Sequence, residues 1–253
     1  MLGRASARIP CRMHIEPTTI VAELVLARPG LARVFEQLGL DYCCGGKRSL
    51  ETACKRKGLD VTSAIQLLEA GMIDAPADET DWTRASVDEL VDHIVTHHHD
   101  HLREELPRVA AMSVRVAERH GSDDERLVML AETFLTFREE MELHMAAEEH
   151  VLFPACRTLE ESGGFARLPF PTIAMPIAQM EHQHEDAGGA LEQLRDLTDG
   201  FDLDRARCNT HRALLDSLAA IERDLHEHVH QENNILFPRA LELEASARVS
   251  AGA

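Results

Sequence analysis

The spacing of apolar residues along the chain predicts an all-α protein. Between residues 84 and 244, apolar side chains recur every three to four positions in four long stretches, which is the period of an amphipathic helix. The stretches begin near residues 86, 123, 172 and 204. Segments with Gly, Pro and acidic residues interrupt the period between them, as expected for connections between helices.

Periodicity and composition divide the chain into five predicted segments. They are a loose N-terminal tail (1–16), a small helical module (17–70), a linker (71–83), a helical bundle (84–244) and a C-terminal tail (245–253). The module has short apolar stripes that end at Gly39 and Gly58, and glycine is typical of helix C-termini. The linker combines Gly, Pro and acidic residues without a period, so we place the domain boundary there.

Two stretches of the bundle repeat one another at polar positions. HMAAEEHVLFP at 144–154 returns as HVHQENNILFP at 228–238. In each copy a histidine precedes a glutamate by four residues, so both side chains lie on one face of a helix, one turn apart. A repeat of polar residues on apolar stripes predicts a duplicated helix pair, and hence an up-down four-helix bundle.

A second pair of histidine-rich stretches lies upstream, around His99 and His184. His99 shares a stripe with apolar residues and is predicted to point inward, with His98 as the alternative because it lies beside Ile94. His184 also lies on an apolar stripe. Four other histidines are predicted on solvent-facing sides of their helices: His97, His182, His226 and His230.

The predicted inward-facing polar residues form a candidate metal site. They are His99, His144, Glu148, His184, His228 and Glu232. Burying so many polar groups without partners costs several kcal/mol each, so we interpret them as metal ligands. The alternative is a pair of similar amphipathic helices with unrelated surface histidines. Nitrogen and oxygen ligands without sulfur favour iron or manganese over structural zinc, and six ligands leave positions open on two ions.

A cysteine pair in the N-terminal module is the second candidate for chemistry. Cys43 and Cys44 stand in the segment DYCCGG, whose two glycines predict a turn. The nearby Lys47 and Arg48 are expected to favour the reactive thiolate form of the cysteines. The alternative is that both are small buried apolar residues. The remaining cysteines lack paired spacing and are interpreted as structural: Cys11, Cys54, Cys156 and Cys208.

Charge and hydropathy restrict the partners and the location. The net charge of −18 argues against nucleic acid or an anionic membrane as a general partner. No apolar stretch is long enough to span a membrane and the N-terminus does not resemble a signal peptide, so a cytoplasmic protein with reduced thiols is expected. Residues 1–70 are mildly basic and the remainder is acidic. The module is therefore expected to dock on the bundle or on an acidic partner, unless these charges are simply solvated.

DYCCGG at 41–46, two copies of HxxxE and the ENNILFP segment together resemble the di-iron proteins that repair iron centres (the YtfE/ScdA type). The resemblance extends from about Thr19 to Leu241, and the C-terminal part is similar to the hemerythrin-like bundle. It implies two non-haem iron ions bridged by an oxo or hydroxo group and by carboxylates. The six inward residues match the family's ligands, with Glu148 and Glu232 as bridges.

The resemblance implies a stress-response protein that repairs iron–sulfur clusters damaged by nitric oxide or peroxide, through iron supply. Its partners would be damaged iron–sulfur proteins, and nitric oxide or oxygen species would be small ligands. Members of the family are often dimeric, so a homodimer is one expected state. Two other functions stay open at this point. One is reduction of nitric oxide to nitrous oxide, and the other is binding of nitric oxide or oxygen without turnover, which would not need Cys43 and Cys44.

Overall fold

The computed structural model describes residues 14–74 and 80–251, which are helical except for turns, connections and one isolated bridge between Ile20 and Ser49. Residues 1–13, and with them Cys11 and most of the predicted tail, lie outside the described residues. Among the described residues no helix combines the length and the apolar character needed to cross a membrane.

The N-terminal module consists of four short helices around their own apolar cluster. They are α1 (Val21–Ala27), α2 (Ala32–Leu38), α3 (Leu50–Lys57) and α4 (Val61–Asp74). Gly39 and Gly58 end α2 and α3 with φ values of 63° and 70°, in the left-handed region that glycine adopts without strain. The buried side chains of Leu24, Phe35 and Leu50 are part of the module's core.

Four long helices form the bundle, and three of them contain a π-helical turn. The first helix consists of α5 (Val87–His93), a π turn (Ile94–His99) and α6 (Asp100–His120). The second consists of α7 (Arg126–Ala147), a π turn (Glu148–Leu152) and α8 (Phe153–Glu161). The third is α9 (Ala174–Leu197), and the fourth consists of α10 (Asn209–Gln231), a π turn (Glu232–Leu236) and α11 (Phe237–Ala251). Ser86 and Glu89 form the capping box predicted at the start of the first helix.

The bundle has the predicted up-down arrangement. One apolar cluster joins the starts of the first and third helices to the ends of the second and fourth. A second cluster joins the opposite halves of the same four helices. The predicted ligands all lie in the sequence segments between these two clusters, so the candidate site is a polar layer with an apolar core on either side.

Two bundle helices continue further than predicted. A proline normally breaks a helix, but the second helix continues to Glu161 because Pro154 stands at the start of α8, where its missing N–H group costs little after a π turn. The fourth helix continues to Ala251, into the segment predicted as a tail at 245–253. Similarly, α4 extends to Asp74, into the predicted linker.

The module docks on the third and fourth bundle helices, as the charge distribution suggested. Lys47 forms an ion pair with Glu181 at 2.9 Å and Lys57 forms one with Glu192 at 3.2 Å. Exposed pairs of this kind contribute little. The larger contact is Tyr42, which is 1% exposed and whose ring lies 5.9 Å from that of His226 and 5.5 Å from that of His230.

This docking corrects the predicted exposure of two histidines. His226 and His230 were expected on the solvent side of the fourth helix, yet His226 is half-buried and His230 is buried beneath the module. The helical period correctly placed them away from the bundle core. It could not show that a second domain covers that face.

Tyr42→Ala is expected to destabilise the protein by about 3 kcal/mol or more, because the ring fills the junction between module and bundle. The free energy of unfolding from denaturant titration measures this. Tyr42→Phe is the matched control, since it removes only the hydroxyl group that donates to Glu36 Oε1 at 3.2 Å and should cost about 1 kcal/mol. Equal losses in both variants would contradict the packing role.

Candidate metal centre

The four bundle helices bring the six predicted residues into one buried layer. His99, Glu148, His228 and Glu232 have no exposed surface, and His144 and His184 are 3% and 2% exposed. His99, Glu148 and Glu232 stand at the end or at the start of a π turn. A π turn inserts an extra residue into the helix and is frequent at functional sites, because it redirects side chains relative to a regular α-helix.

The ring nitrogens of these residues form two pairs. His99 Nε2 and His228 Nε2 lie 3.1 Å apart, and the same distance separates His144 Nε2 from His184 Nε2. Two nitrogen ligands bound to one ion at about 2.1 Å and at right angles lie about 3 Å apart. Each pair therefore has a spacing that suits a single metal ion.

Both glutamates are shared between the two histidine pairs. Glu232 Oε1 lies 3.1 Å from His228 Nε2, and its Oε2 lies 3.1 Å from His184 Nε2. Glu148 Oε2 lies 3.4 Å from His99 Nε2 and 3.3 Å from His144 Nε2. The layer thus contains two candidate groups, His99–Glu148–His228–Glu232 and His144–Glu148–His184–Glu232, each with its ligand atoms within 4.8 Å of one another.

Three of the four imidazoles are oriented by a partner on their outer nitrogen. His99 Nδ1 lies 2.6 Å from Glu149 Oε1, His144 Nδ1 lies 2.9 Å from Gln183 Oε1, and His184 Nδ1 lies 3.0 Å from Asn233 Oδ1. Each of these oxygens accepts a hydrogen bond from Nδ1–H. When such a ring is neutral, its inward Nε2 carries the free lone pair, which is the form that binds metals.

The fourth imidazole, His228, is held by stacking. Its ring lies nearly parallel to that of His98, with centroids 5.2 Å apart, and its Nδ1 forms no hydrogen bond within the described residues. His98 is itself buried and its Nδ1 lies 2.9 Å from Asp224 Oδ1. The structure therefore places His99, and not His98, with the other five residues. Both are buried because the π turn carries them around the helix.

The charges in the layer fit a bound cation. Both oxygens of Glu148 and Oε2 of Glu232 are buried without a hydrogen bond within the described residues. Burial raises the pKa of Glu232, but the nearby imidazoles of His228 and His184 outweigh this and hold the pKa well below its ordinary value. Burial lowers the pKa of His144, but Glu148 raises it to about 9. Two buried carboxylates and four imidazoles form a nitrogen and oxygen donor set suited to divalent transition metals.

The cysteine pair lies beside this layer. Cys43 is buried within the bundle's apolar cluster, and Cys44 Sγ–H donates to the carbonyl oxygen of His184 at 3.5 Å. The two sulfur atoms are 3.8 Å apart, and Asp41 Oδ1 accepts hydrogen bonds from both cysteine N–H groups at 3.0 Å. On the opposite side of the turn, Asn234 donates to the carbonyl oxygen of Cys43 at 3.4 Å.

The expected thiolate is not found at Cys43. Its hydrogen bond to Cys44 and its burial, together with the charge of Asp41, raise the pKa of Cys43 well above its ordinary value. Lys47, one of the two cations expected to favour the thiolate, pairs with Glu181 instead. Cys43 is therefore a neutral thiol at neutral pH. Of the other cysteines, Cys54 and Cys156 are buried, and Cys208 Sγ accepts from the N–H of His211 at the start of α10.

Sequence periodicity did not identify the outer partners Glu149, Gln183 and Asn233. Each immediately precedes or follows a predicted ligand in the chain. On a regular α-helix such neighbours point about 100° away, so they were not expected to reach the layer. The only feature of the sequence that marks these three partners is that each is a polar residue next to an inward histidine or glutamate.

Comparison with known proteins agrees with this geometry. Residues 72–240 match the family described as Hemerythrin HHE cation binding domain, and residues 17–71 match ScdA_N, a domain of unknown function. The iron-sulfur cluster repair protein YtfE of Edwardsiella ictaluri is 39% identical over 221 residues, covering 87% of this chain and 96% of the relative. YtfE of Musicola paradisiaca is 37% identical over 236 residues, covering 92% and 100%. The probable iron-sulfur cluster repair protein of Haemophilus influenzae is 33% identical over 222 residues, covering 87% and 96%.

The fold and the site thus define a hemerythrin-like protein of the class that binds metal cations in a helical bundle. Within that class, the chain belongs to the family of YtfE iron–sulfur cluster repair proteins, which it matches over both the module and the bundle.

Removal of bound metal should lower the melting temperature, because a ligand that binds only the folded protein stabilises it by mass action. At a free metal concentration 100 times Kd the gain is about 2.7 kcal/mol, or roughly 5–10 °C for a chain of this size. Thermal unfolding with chelator and with added ferrous iron measures the difference. His144→Ala should lose most of the shift, whereas His182→Ala, on the exposed side of α9, should keep it. An identical melting temperature with and without metal would contradict the site.

Proposed function

We propose that this protein repairs damaged iron–sulfur clusters by supplying iron from a centre of two non-haem ions. The observation that carries the proposal is the pair of four-residue groups that share two fully buried glutamates. His99 and His228 would hold one iron, and His144 and His184 the other. Glu148 and Glu232 would bridge both ions, together with an oxo or hydroxo group.

The donor set suits iron that can be released. Imidazole and carboxylate ligands bind Fe²⁺ more weakly than Cu²⁺ or Zn²⁺, and no thiolate from the bundle strengthens the hold. Two imidazoles and two shared carboxylates leave positions of a six-coordinate ion without a protein ligand. Those positions would admit water, nitric oxide or an oxygen species as small ligands.

The docked thiols support transfer rather than storage alone. Cys44 contacts the main chain at His184, which is a proposed ligand, so the pair lies next to one edge of the polar layer. Sulfur is the ligand type that iron meets in an iron–sulfur cluster. We therefore propose that Cys43 and Cys44 receive iron from the layer, releasing their thiol protons to water as the iron–sulfur bonds form, and pass it to a damaged iron–sulfur protein. The names of the relatives favour repair over the reduction or simple binding of nitric oxide.

The purified protein is expected to contain about two irons per chain. His144→Ala should reduce the iron content to about one or less, because it removes a ligand from one group. Metal analysis of both proteins, expressed with iron in excess, is the measurement. One tightly bound zinc in the wild type would contradict the proposed centre, as would full iron content in the variant.

Cys43→Ser/Cys44→Ser should abolish repair while leaving the iron content at the wild-type level. The assay is the recovered activity of an iron–sulfur enzyme inactivated with nitric oxide, mixed with the loaded protein. Cys208→Ser is the matched control, since Cys208 is exposed at the start of α10. Full recovery with the double variant would exclude the thiols from transfer and favour a binding protein.

A further inference from the structure

The two halves of the polar layer differ in what supports their imidazoles. We infer that the two iron positions are unequal, and that the ion at His144 and His184 is the one released. This inference rests on the proposed function, and it adds which position supplies the iron and which residues set the order.

A carboxylate supports the first position. His99 donates from Nδ1 to Glu149 Oε1 at 2.6 Å, and Arg103 holds the same oxygen of Glu149. His99 has no exposed surface, and the side chain of Glu149 is 21% exposed, so the bond lies at the edge of the buried layer. A carboxylate on the outer nitrogen gives the imidazole partial imidazolate character and makes its inner nitrogen a stronger ligand. The second imidazole there, His228, stacks on His98 and has no acceptor for its outer nitrogen among the described residues, so the difference comes from Glu149.

Neutral amides support the second position. His144 donates to the side-chain oxygen of Gln183 at 2.9 Å, and His184 donates to that of Asn233 at 3.0 Å. An amide orients the ring but adds no negative charge, so it increases the basicity of the inner nitrogen far less than a carboxylate does. Both glutamates are shared between the positions and therefore do not distinguish them.

The weaker position is also the one beside the thiols. Cys44 Sγ contacts the carbonyl oxygen of His184, and Asn234, which donates to the carbonyl oxygen of Cys43, follows Asn233 in the chain. Among the described residues, no hydrogen bond of Cys43 or Cys44 reaches His99, His228 or their partners. Lower affinity and access to an acceptor thus coincide on one side of the layer.

The expected difference in affinity between the two iron positions follows from the effect of such outer partners on metal affinity, which is typically 10- to 100-fold. Mixing protein loaded anaerobically with ferrous iron with an excess of a coloured ferrous chelator, still without oxygen, should therefore release iron in two phases of equal amplitude. Their rates should differ by about tenfold or more. The readout is chelate absorbance and needs no repair assay.

Two reciprocal substitutions of nearly unchanged size assign the phases. Glu149→Gln removes the charge behind His99 and should accelerate the slow phase about tenfold while leaving the fast phase unchanged. Gln183→Glu places a charge behind His144 and should slow the fast phase by a similar factor. Mössbauer spectra after the fast phase should show one iron environment remaining in the wild type.

The outcomes separate this inference from the proposed function. An initial iron content far from two per chain would contradict the two-iron centre itself. Two irons that leave in a single phase unaffected by either substitution, or a fast phase that responds to Glu149→Gln, would overturn the unequal positions and leave the function intact. Should either variant fail to take up two irons, Asn233→Asp tests the same position through His184 and should also slow the fast phase. An unchanged fast phase there would overturn the inference.

Discussion

The structure depends on two carboxylates that are completely removed from water. Glu148 and Glu232 lie in a layer with an apolar cluster on either side, and three of their four oxygens form no hydrogen bond within the described residues. An uncompensated buried charge costs several kcal/mol, which is a large share of the 5–15 kcal/mol that keeps an ordinary protein folded. Positive charge must therefore enter the layer, as metal cations or as protons on the imidazoles. The four histidines can provide this charge in both ways, by binding a metal cation or by taking up a proton, since each directs Nε2 toward a carboxylate.

Local helix geometry meets this requirement. Two of the π turns begin at Glu148 and Glu232, and each is followed by Phe-Pro at the start of the next α-helical segment. Proline donates no N–H group, so it fits where the hydrogen-bond pattern is already shifted by the wider turn. The repeated sequence LFP is thus the end of a π turn and the start of a new helical segment. This explains why a proline that normally ends a helix leaves the second and fourth helices continuous.

The sequence was sufficient for the all-α fold, the bundle and the inward position of the six polar residues, because each follows from a 3.6-residue period. What it missed depended on interruptions of that period or on contacts between domains. The period allowed only one of His98 and His99 to point inward, whereas the π turn buries both. Glu149 and Asn233 were not identified, because on a regular α-helix the residue after a ligand points away from the layer. His226 and His230 were predicted on a solvent-exposed face of the fourth helix, because no pattern within the bundle shows that Tyr42 covers this face.

The same arrangement reconciles a firm scaffold with a centre that can lose its ions. The ligands come from all four helices, but the helices are held together by apolar packing above and below the layer, where no metal is involved. Loss of an ion removes charge compensation at the layer, but the apolar packing within each of the two clusters is kept. The imidazoles are also held from outside by Glu149, Gln183 and Asn233, so their orientation does not depend on the ion they bind. Because those three partners differ in charge, a nearly symmetric duplicated bundle acquires two chemically different halves, and the docked cysteine turn lies beside only one of them.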